Sequence, residues 1–220
     1  MTPAPRVAAP GRRLVVARVL HALVALAALT GVVMELVIAL VDGPGTAPSQ
    51  AERLVRLFSY FTVQSNLLVG VVSVLLVVRP ARDGAVFRVA RLDALLCIAV
   101  TGIVYQTVLR GIAELSAAGQ VSDLLLHLLA PLLALVAWVL VGPRPRVDAA
   151  TVWWSLAFPL AWIAYTFVRG AVVGWYPYPF LDVTTLGLAP ALLNTAVVAV
   201  VFVGLAWLVR VVDARLRAAP

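Results

Sequence analysis

Three features of the sequence predict an all-α polytopic membrane protein. The chain of 220 residues is 63% hydrophobic and has a mean hydropathy of +1.04, which is more apolar surface than a soluble core of this size can bury. Its apolar residues form six continuous runs, unlike the alternating pattern of a β-barrel. Each run is long enough to cross ~30 Å of hydrocarbon. We predict one six-helix domain over residues 14–210, between a flexible N-terminus (1–13) and a cytoplasmic tail (211–220).

Glycine, proline and arginine residues mark the ends of the apolar runs. The first run has the basic flank of a signal peptide, but it is too long for one and lacks a cleavage site, so we interpret it as a span. Residues 42–45 end this run, residues 79–80 end the second, and residues 142–146 separate the fourth from the fifth. An aromatic loop containing Trp175–Asp182 precedes the sixth. The predicted spans are residues 14–41, 57–79, 90–112, 121–141, 150–172 and 187–210.

The basic residues, all of them arginines, predict the orientation in the membrane. With six spans, 13 of the 17 arginines fall on the side that carries both termini. The positive-inside rule therefore places both termini in the cytoplasm, and we expect a multi-pass protein of the plasma (cell) membrane. The net charge of +7 indicates contact with membrane lipids and their anionic headgroups, and we expect no nucleic acid partner. The thirteen are Arg6, Arg12, Arg13, Arg18, Arg79, Arg82, Arg88, Arg91, Arg144, Arg146, Arg210, Arg215 and Arg217.

A polar stripe interrupts the second apolar run. Thr62, Ser65 and Asn66 are spaced i, i+3 and i+4, which places them on one face of a helix. Polar groups that face lipid are costly, so this face must turn toward the protein interior or a wet cavity. We expect the other spans to be arranged around it.

Polar residues of other spans fall at the same depth. Thr62 lies roughly 8 Å, and His127 roughly 9 Å, below the outer ends of their predicted spans. Asp123 lies one turn above His127 on the same helix face. This convergence predicts a polar pocket in the outer half of the membrane. The other candidates lie at outer span ends or in the aromatic loop: Tyr105, Gln106, Arg110, Tyr165, Arg169, Tyr178 and Asp182.

Each of these residues also has a purely structural interpretation. A threonine in a membrane helix commonly bonds a carbonyl of its own preceding turn, and a membrane histidine commonly joins two helices. Arginines near helix ends extend toward the headgroups, and an aromatic loop is typical of the membrane interface. The functional interpretation depends on several spans contributing polar groups at one depth.

The residue types in this pocket suit acyl transfer. Thr62 is a candidate nucleophile, His127 the candidate base, and Asp123 could orient the imidazole. An apolar-walled pocket inside a leaflet suits a lipid ester. No metal or cofactor is expected, and haem ligation by two histidines is disfavoured because His21 lies near the opposite side. Candidate oxyanion donors are Asn66, Tyr105, Gln106 and Arg110, and candidate ligands of a substrate carboxylate are Arg110 and Arg169.

Three short motifs resemble the androgen-induced membrane protein family, whose characterised members are threonine hydrolases of fatty acid esters of hydroxy fatty acids. They are Tyr60-Phe61-Thr62, Leu126-His127-Leu128-Leu129-Ala130-Pro131 and Tyr178-Pro179-Phe180-Leu181-Asp182. The resemblance covers spans two to six, and Gln64-Ser65-Asn66 is similar to the bacterial branch. It implies that Thr62 is the nucleophile and His127 its partner. The residues after Thr62 are more polar than in animal members, and the spacing from His127 to Pro131 is shorter.

The sequence thus predicts an intramembrane hydrolase that acts on fatty acid esters of hydroxy fatty acids or similar lipids. The alternative is a binding protein or small transporter that uses the same pocket without turnover. The sequence does not predict an oligomeric state.

Overall fold

Six long apolar helices form the protein, as the sequence predicts. The computed structural model describes residues 11–112, 114–144 and 146–216. Helix accounts for 81% of the described residues, which include no strand, and the chain is an all-α polytopic membrane protein. The first ten residues of the predicted flexible N-terminus and the last four of the predicted tail lie outside the described residues. The first to sixth spans are Arg12–Val41, Phe61–Val78, Ala85–Leu109, Ala117–Val141, Ala149–Val173 and Leu188–Arg215.

The second span begins later than the predicted residue 57. A separate surface helix, Gln50–Ser59, precedes it, and the side chain of Ser49 caps that helix by accepting the Glu52 N–H. Tyr60 then adopts an extended conformation (φ −65°, ψ 131°), which ends the surface helix and turns the chain into the second span at Phe61. The apolar run concealed this break because Phe58 and Tyr60 are themselves apolar.

Two other predicted boundaries are also wrong. The third span covers Ala85–Leu109 rather than 90–112, and its first turns include Arg88, a charged residue that the prediction left outside the span. The sixth span continues to Arg215, so the predicted tail 211–220 is helical over its first five residues. In both cases the helix continues through charged residues, and a hydropathy pattern does not detect that extension.

Two spans contain a π-helical turn near their outer ends. The third span changes to a π-helix over Tyr105–Leu109, and the fourth does so over Leu125–Leu129. The fourth span has an evident cause: Pro131 has no N–H to donate to the carbonyl of His127, and its ring disturbs the preceding turn. The N–H of Ala130 bonds the carbonyl of Leu125, five residues earlier, rather than the carbonyl four residues earlier that an α-helix would use. Short π-helical turns inside α-helices are frequent at functional sites.

The first four spans form the packed centre of the bundle. The first span packs on the second and fourth, and the third packs on the same two. Close approach is possible because small residues line the contacts: a Cβ on Gly102 would lie 3.1 Å from Cβ of Pro131. The fifth and sixth spans lie at the edge, where most of their apolar side chains face outward.

The aromatic loop, residues 174–187, folds over one end of the bundle. Gly170 of the fifth span makes room for it, because a Cβ there would overlap the ring of Tyr176. Tyr178 and Leu181 pack with Trp162 in a separate cluster that also contacts Phe61. We call the end that carries this loop and the surface helix the outer end, and the end that carries residues 79–84 and 142–148 the inner end. The arginine distribution predicts that the inner end faces the cytoplasm.

Candidate active site

Thr62 and His127 meet near the outer end of the bundle. Thr62 is the second residue of the second span, and its Oγ1 lies 3.3 Å from Nε2 of His127 on the fourth span. This distance is at the long end for a hydrogen bond, which is common before a substrate is bound. Thr62 does not bond a carbonyl of a preceding turn, the contact that the structural interpretation of a membrane threonine requires.

Asp123 determines which nitrogen of His127 carries the proton. Asp123 Oδ1 lies 2.8 Å from Nδ1 of His127, one helical turn away. An ionised carboxylate can only accept, so Nδ1 is the donor and Nε2 of a neutral imidazole is left with a lone pair toward Thr62. The exposed fraction is 8% for the residue Thr62, 14% for the side chain of His127 and 25% for the side chain of Asp123. Asp123 is thus the most exposed of the three.

Tyr178 brings the aromatic loop into the site. Its hydroxyl accepts the backbone N–H of Thr62 at 3.1 Å and lies 3.2 Å from Thr62 Oγ1. Burial raises the pKa of Tyr178 to about 12, so the phenol keeps its proton at neutral pH. With Thr62 donating to His127, the Tyr178 O–H can donate only to Thr62 Oγ1 within this network. One chain of hydrogen bonds then joins Tyr178, Thr62, His127 and Asp123.

Ser65 and Asn66 hold the backbone around Thr62. Asn66 Nδ2 donates to the carbonyl of Thr62 at 2.9 Å and to that of Leu126 at 3.3 Å, so it links the second span to the π-helical turn that carries His127. Ser65 Oγ bonds the Thr62 carbonyl at 3.2 Å and Thr101 Oγ1 at 2.8 Å. The polar stripe predicted from the sequence therefore faces the protein interior, where it fixes Thr62 against the third and fourth spans.

The ring of Tyr105 stacks on the imidazole of His127. Their centroids are 3.8 Å apart and their planes differ by 13°. Tyr105 and His127 both occupy π-helical turns, so the two irregular turns face each other across the site. Stacking leaves the edge of the imidazole, which carries both nitrogens, as its hydrogen-bonding surface.

An apolar cavity of about 140 Å³ opens beside Thr62. The second, third, fifth and sixth spans and the aromatic loop surround it, and His127 is not part of its wall. The polar side chains in the wall are three threonines, Trp162 and Tyr178, of which Thr62 and Tyr178 belong to the hydrogen-bonded chain described above. The rest of the wall is formed by Phe61, Val100, Val104, Leu109, Leu156, Pro159, Leu160, Ile163, Phe180, Leu181, Val198, Ala199, Phe202 and Val203.

Three predicted supporting residues make other contacts. Gln106 and Arg110 are exposed and bond each other, with Arg110 Nη1 donating to Gln106 Oε1 at 3.2 Å. Asp182 caps the short helix Val183–Leu186 by accepting the N–H and hydroxyl of Thr184 at 2.9 Å and 2.6 Å. None of the three bonds Thr62 or His127 among the described residues.

Two further candidates connect the fifth span to the surface helix. Tyr165 OH lies 2.7 Å from Ser59 Oγ. Arg169 Nη2 donates to Glu52 Oε1 at 2.5 Å, and its guanidinium carbon lies 5.2 Å from the ring centroid of Trp175. These contacts hold the outer surface together around the site, and in this structure the Arg169 charge is paired with Glu52 rather than presented to a substrate.

Two further residues support the site, and of these sequence reasoning singled out Glu35 as an outer polar group but missed Trp162. Trp162 Nε1 donates to the carbonyl of Ser59 at 3.0 Å, which fixes the chain just before Tyr60. Glu35 of the first span accepts a hydrogen bond from Ser122, the neighbour of Asp123. Trp162 carries no polar signal within its apolar run. Glu35 does carry one, since it is a carboxylate within the first span.

No family model, curated protein or solved structure matches the chain.

Proposed function

We propose that the protein is a membrane-embedded hydrolase of lipid esters with Thr62 as nucleophile. The observation that carries this proposal is the continuous hydrogen-bonded chain from Tyr178 through Thr62 and His127 to Asp123, placed at the edge of an apolar cavity. A hydroxyl, an imidazole and a carboxylate in this order form the arrangement that activates a hydroxyl for attack on an acyl carbon.

The reaction proceeds in two halves. Thr62 Oγ1 attacks the ester carbonyl carbon while its proton passes to Nε2 of His127. The tetrahedral intermediate collapses, the bond to the leaving oxygen breaks, and His127 returns the proton to release the alcohol. Water then attacks the acyl group on Thr62, with His127 as base, and the carboxylic acid leaves. Throughout both halves, Asp123 holds the imidazole and stabilises its protonated form.

The second span and Tyr178 supply the groups that stabilise negative charge. Thr62 lies in the first turn of the second span, where helix N–H groups are unpaired and the helix dipole is positive. The Tyr178 hydroxyl already accepts one of these N–H groups and keeps its own proton. An oxyanion formed beside Thr62 therefore has a neutral phenol as a nearby donor.

The cavity supports an acyl chain as the part of the substrate held beside Thr62. Its wall follows the sixth span from Thr195 to Val203, a length of about 12 Å, and is apolar away from Thr62. The fifth and sixth spans each bury only 17% of their most apolar 18-residue stretch, which favours contact with lipid on this side. We infer that substrate enters from the bilayer and that fatty acid esters of hydroxy fatty acids, or similar lipids, are suitable.

Family membership and cellular location belong to the same proposal. The motifs around Thr62, His127 and Tyr178 resemble the androgen-induced membrane protein family, and these are the residues that form the hydrogen-bonded chain. We propose that the chain is a member and that it lies in the plasma membrane, with its site at the outer surface.

The test is covalent labelling of the purified protein with a fluorophosphonate probe. We expect the wild type and Thr30→Ala, which alters a threonine on the exposed face of the first span, to react equally. We expect Thr62→Ala not to react. A wild type that never reacts, or a Thr62→Ala variant that reacts as fast, would contradict the proposal.

One observation favours a binding protein without turnover: His127 does not line the apolar cavity. In that case a fatty acid ester would bind with the same affinity to wild type and Thr62→Ala, and neither protein would release free acid. The ester hydrolysis assay, run beside the binding measurement, separates the two functions.

A further inference from the structure

A second cavity lies at the inner end of the bundle. Its volume is about 40 Å³, and each of the first four spans contributes to its wall. One water needs about 10–15 Å³ on this measure, so there is room for about three water-sized groups. The wall includes His21, Ser73 and Arg91. Ser73 lies eleven residues below Thr62 along the second span, or about 16 Å, so this cavity is separate from the candidate active site.

The polar side chains of this wall lack partners among the described residues. His21 is 8% exposed, and its Nδ1 has no hydrogen-bond partner. Ser73 is 3% exposed, and neither its hydroxyl nor the guanidinium of Arg91 joins the side-chain hydrogen bonds and ion pairs of the inner end. Buried polar groups are normally hydrogen-bonded, and buried charges are normally paired.

The carboxylates nearest this cavity already make contacts with other groups, although Asp93 Oδ1 and Asp213 Oδ1 have no partner among the described residues. Asp83 pairs with Arg88 at 2.7 Å and also with Arg146. Asp213, which is 1% exposed, accepts the backbone N–H groups of Arg146 at 2.7 Å and Val147 at 3.1 Å. These contacts leave the Arg91 charge without an ion pair among the described residues.

Several arginine side chains lie near the cavity at the inner end of the bundle. Arg144 is 6% exposed, and its Nε and Nη1 have no partner, while Gly142 and Pro143 just before it line the cavity. Arg91 also lines a smaller cavity together with Arg88 and Arg146. The described wall contains no carboxylate, so its chemistry suits an anion and not a metal ion.

We propose that the inner cavity binds the phosphate group of an anionic phospholipid. Arg91 would donate guanidinium N–H groups to the phosphate oxygens, and Ser73 and His21 would add one hydrogen bond each. A basic pocket between spans on the side predicted to be cytoplasmic is the arrangement that recognises such headgroups. This inference does not depend on the proposed hydrolase activity.

The test measures lipid retention by the purified full chain in detergent, using native mass spectrometry. The ligands are phosphatidylglycerol, phosphatidylcholine as the zwitterionic control, and glycerol phosphate as a soluble phosphate ester. The variant is Arg91→Gln, and the matched control is Arg13→Gln, which alters an exposed arginine near the inner end of the first span. His21→Gln is the second variant, and it decides the matter if Arg91→Gln does not fold.

We expect phosphatidylglycerol to bind the wild type and Arg13→Gln alike, and the dissociation constant to rise at least tenfold in Arg91→Gln and His21→Gln. Equal binding by wild type and both inner variants would overturn the proposal. Equal retention of phosphatidylcholine would also overturn it, because the site would not distinguish charge. Binding of glycerol phosphate without phosphatidylglycerol would show a soluble anion site and reject the lipid.

Discussion

The two cavities of the bundle differ in how the polar side chains around them are bonded, although buried atoms without a partner occur at both ends, Asn66 Oδ1 among them at the outer end. At the outer end, Tyr178, Thr62, His127 and Asp123 each bond the next, and the supporting side chains bond backbone carbonyls. At the inner end, His21 faces a cavity with an unpartnered ring nitrogen. The protein therefore contains one site whose groups orient each other and one for which we propose a ligand. The first arrangement suits chemistry, and the second suits binding.

The strongest test of this difference is removal of the outer imidazole. Without a base at His127, Thr62 keeps its proton, so His127→Gln should slow ester hydrolysis about 100- to 10,000-fold. Gln120→Ala, at an exposed position on the same span, should change the rate less than about twofold. Hydrolysis of a fatty acid ester of a hydroxy fatty acid measures both rates, and a fast His127→Gln variant would place the base elsewhere.

The Tyr178 hydroxyl should have the next largest effect. Tyr178→Phe removes the proposed oxyanion donor but keeps the ring against Trp162, so we expect hydrolysis to slow about 100-fold with little loss of thermal stability. Tyr165→Phe is the control, because its hydroxyl bonds Ser59 instead. If the two variants lost activity equally, the phenol of Tyr178 would have only a structural role.

An inner-end substitution should affect stability rather than chemistry. Asp213→Asn replaces a buried carboxylate that accepts two backbone N–H groups, and we expect a loss of about 1–3 kcal/mol in the free energy of unfolding. Fluorophosphonate labelling of Thr62 in the folded variant should proceed at the wild-type rate. Slower labelling would show that the two ends are coupled.

The smallest expected effect concerns pH and the outer surface. Hydrogen bonds from Arg169 and Arg56 lower the pKa of Glu52 below its usual 4.5. Because the folded pKa is the lower one, Glu52 contributes stability above about pH 4.5, and this contribution is lost as the pH falls through the folded value. Thermal unfolding of Glu52→Gln should therefore depend less on pH in this range than that of wild type, whereas Glu114→Gln, at an exposed outer-loop position, should match wild type.

Periodicity and charge predicted the six spans because lipid forces apolar residues into continuous helices. The polar stripe at Thr62, Ser65 and Asn66 was visible for the same reason, since a polar face inside an apolar run requires a partner. Matched depth and the family resemblance made His127 the candidate partner of Thr62, and the structure supplies the contact between them.

The details that shape the site were not predictable in this way. The break at Tyr60, which puts Thr62 in the first turn of a helix, depends on how Trp162 and the aromatic loop pack against it. To predict the π-helical turn at His127, one would need to know which backbone carbonyl is left without a hydrogen bond by Pro131. Gln106 and Arg110 were included because they lie at the right depth, but depth does not say which way a side chain points.

Gly170 couples the position of the aromatic loop to that of the fifth span. The ring of Tyr176 rests directly on the backbone of the fifth span at that point, so the aromatic loop follows this helix closely. Yet the fifth span is among the least buried of the six, so most of its side chains face away from the bundle. A change in bilayer thickness that tilts this helix would carry the loop with it, and the phenol two residues further along would move relative to the hydroxyl it contacts.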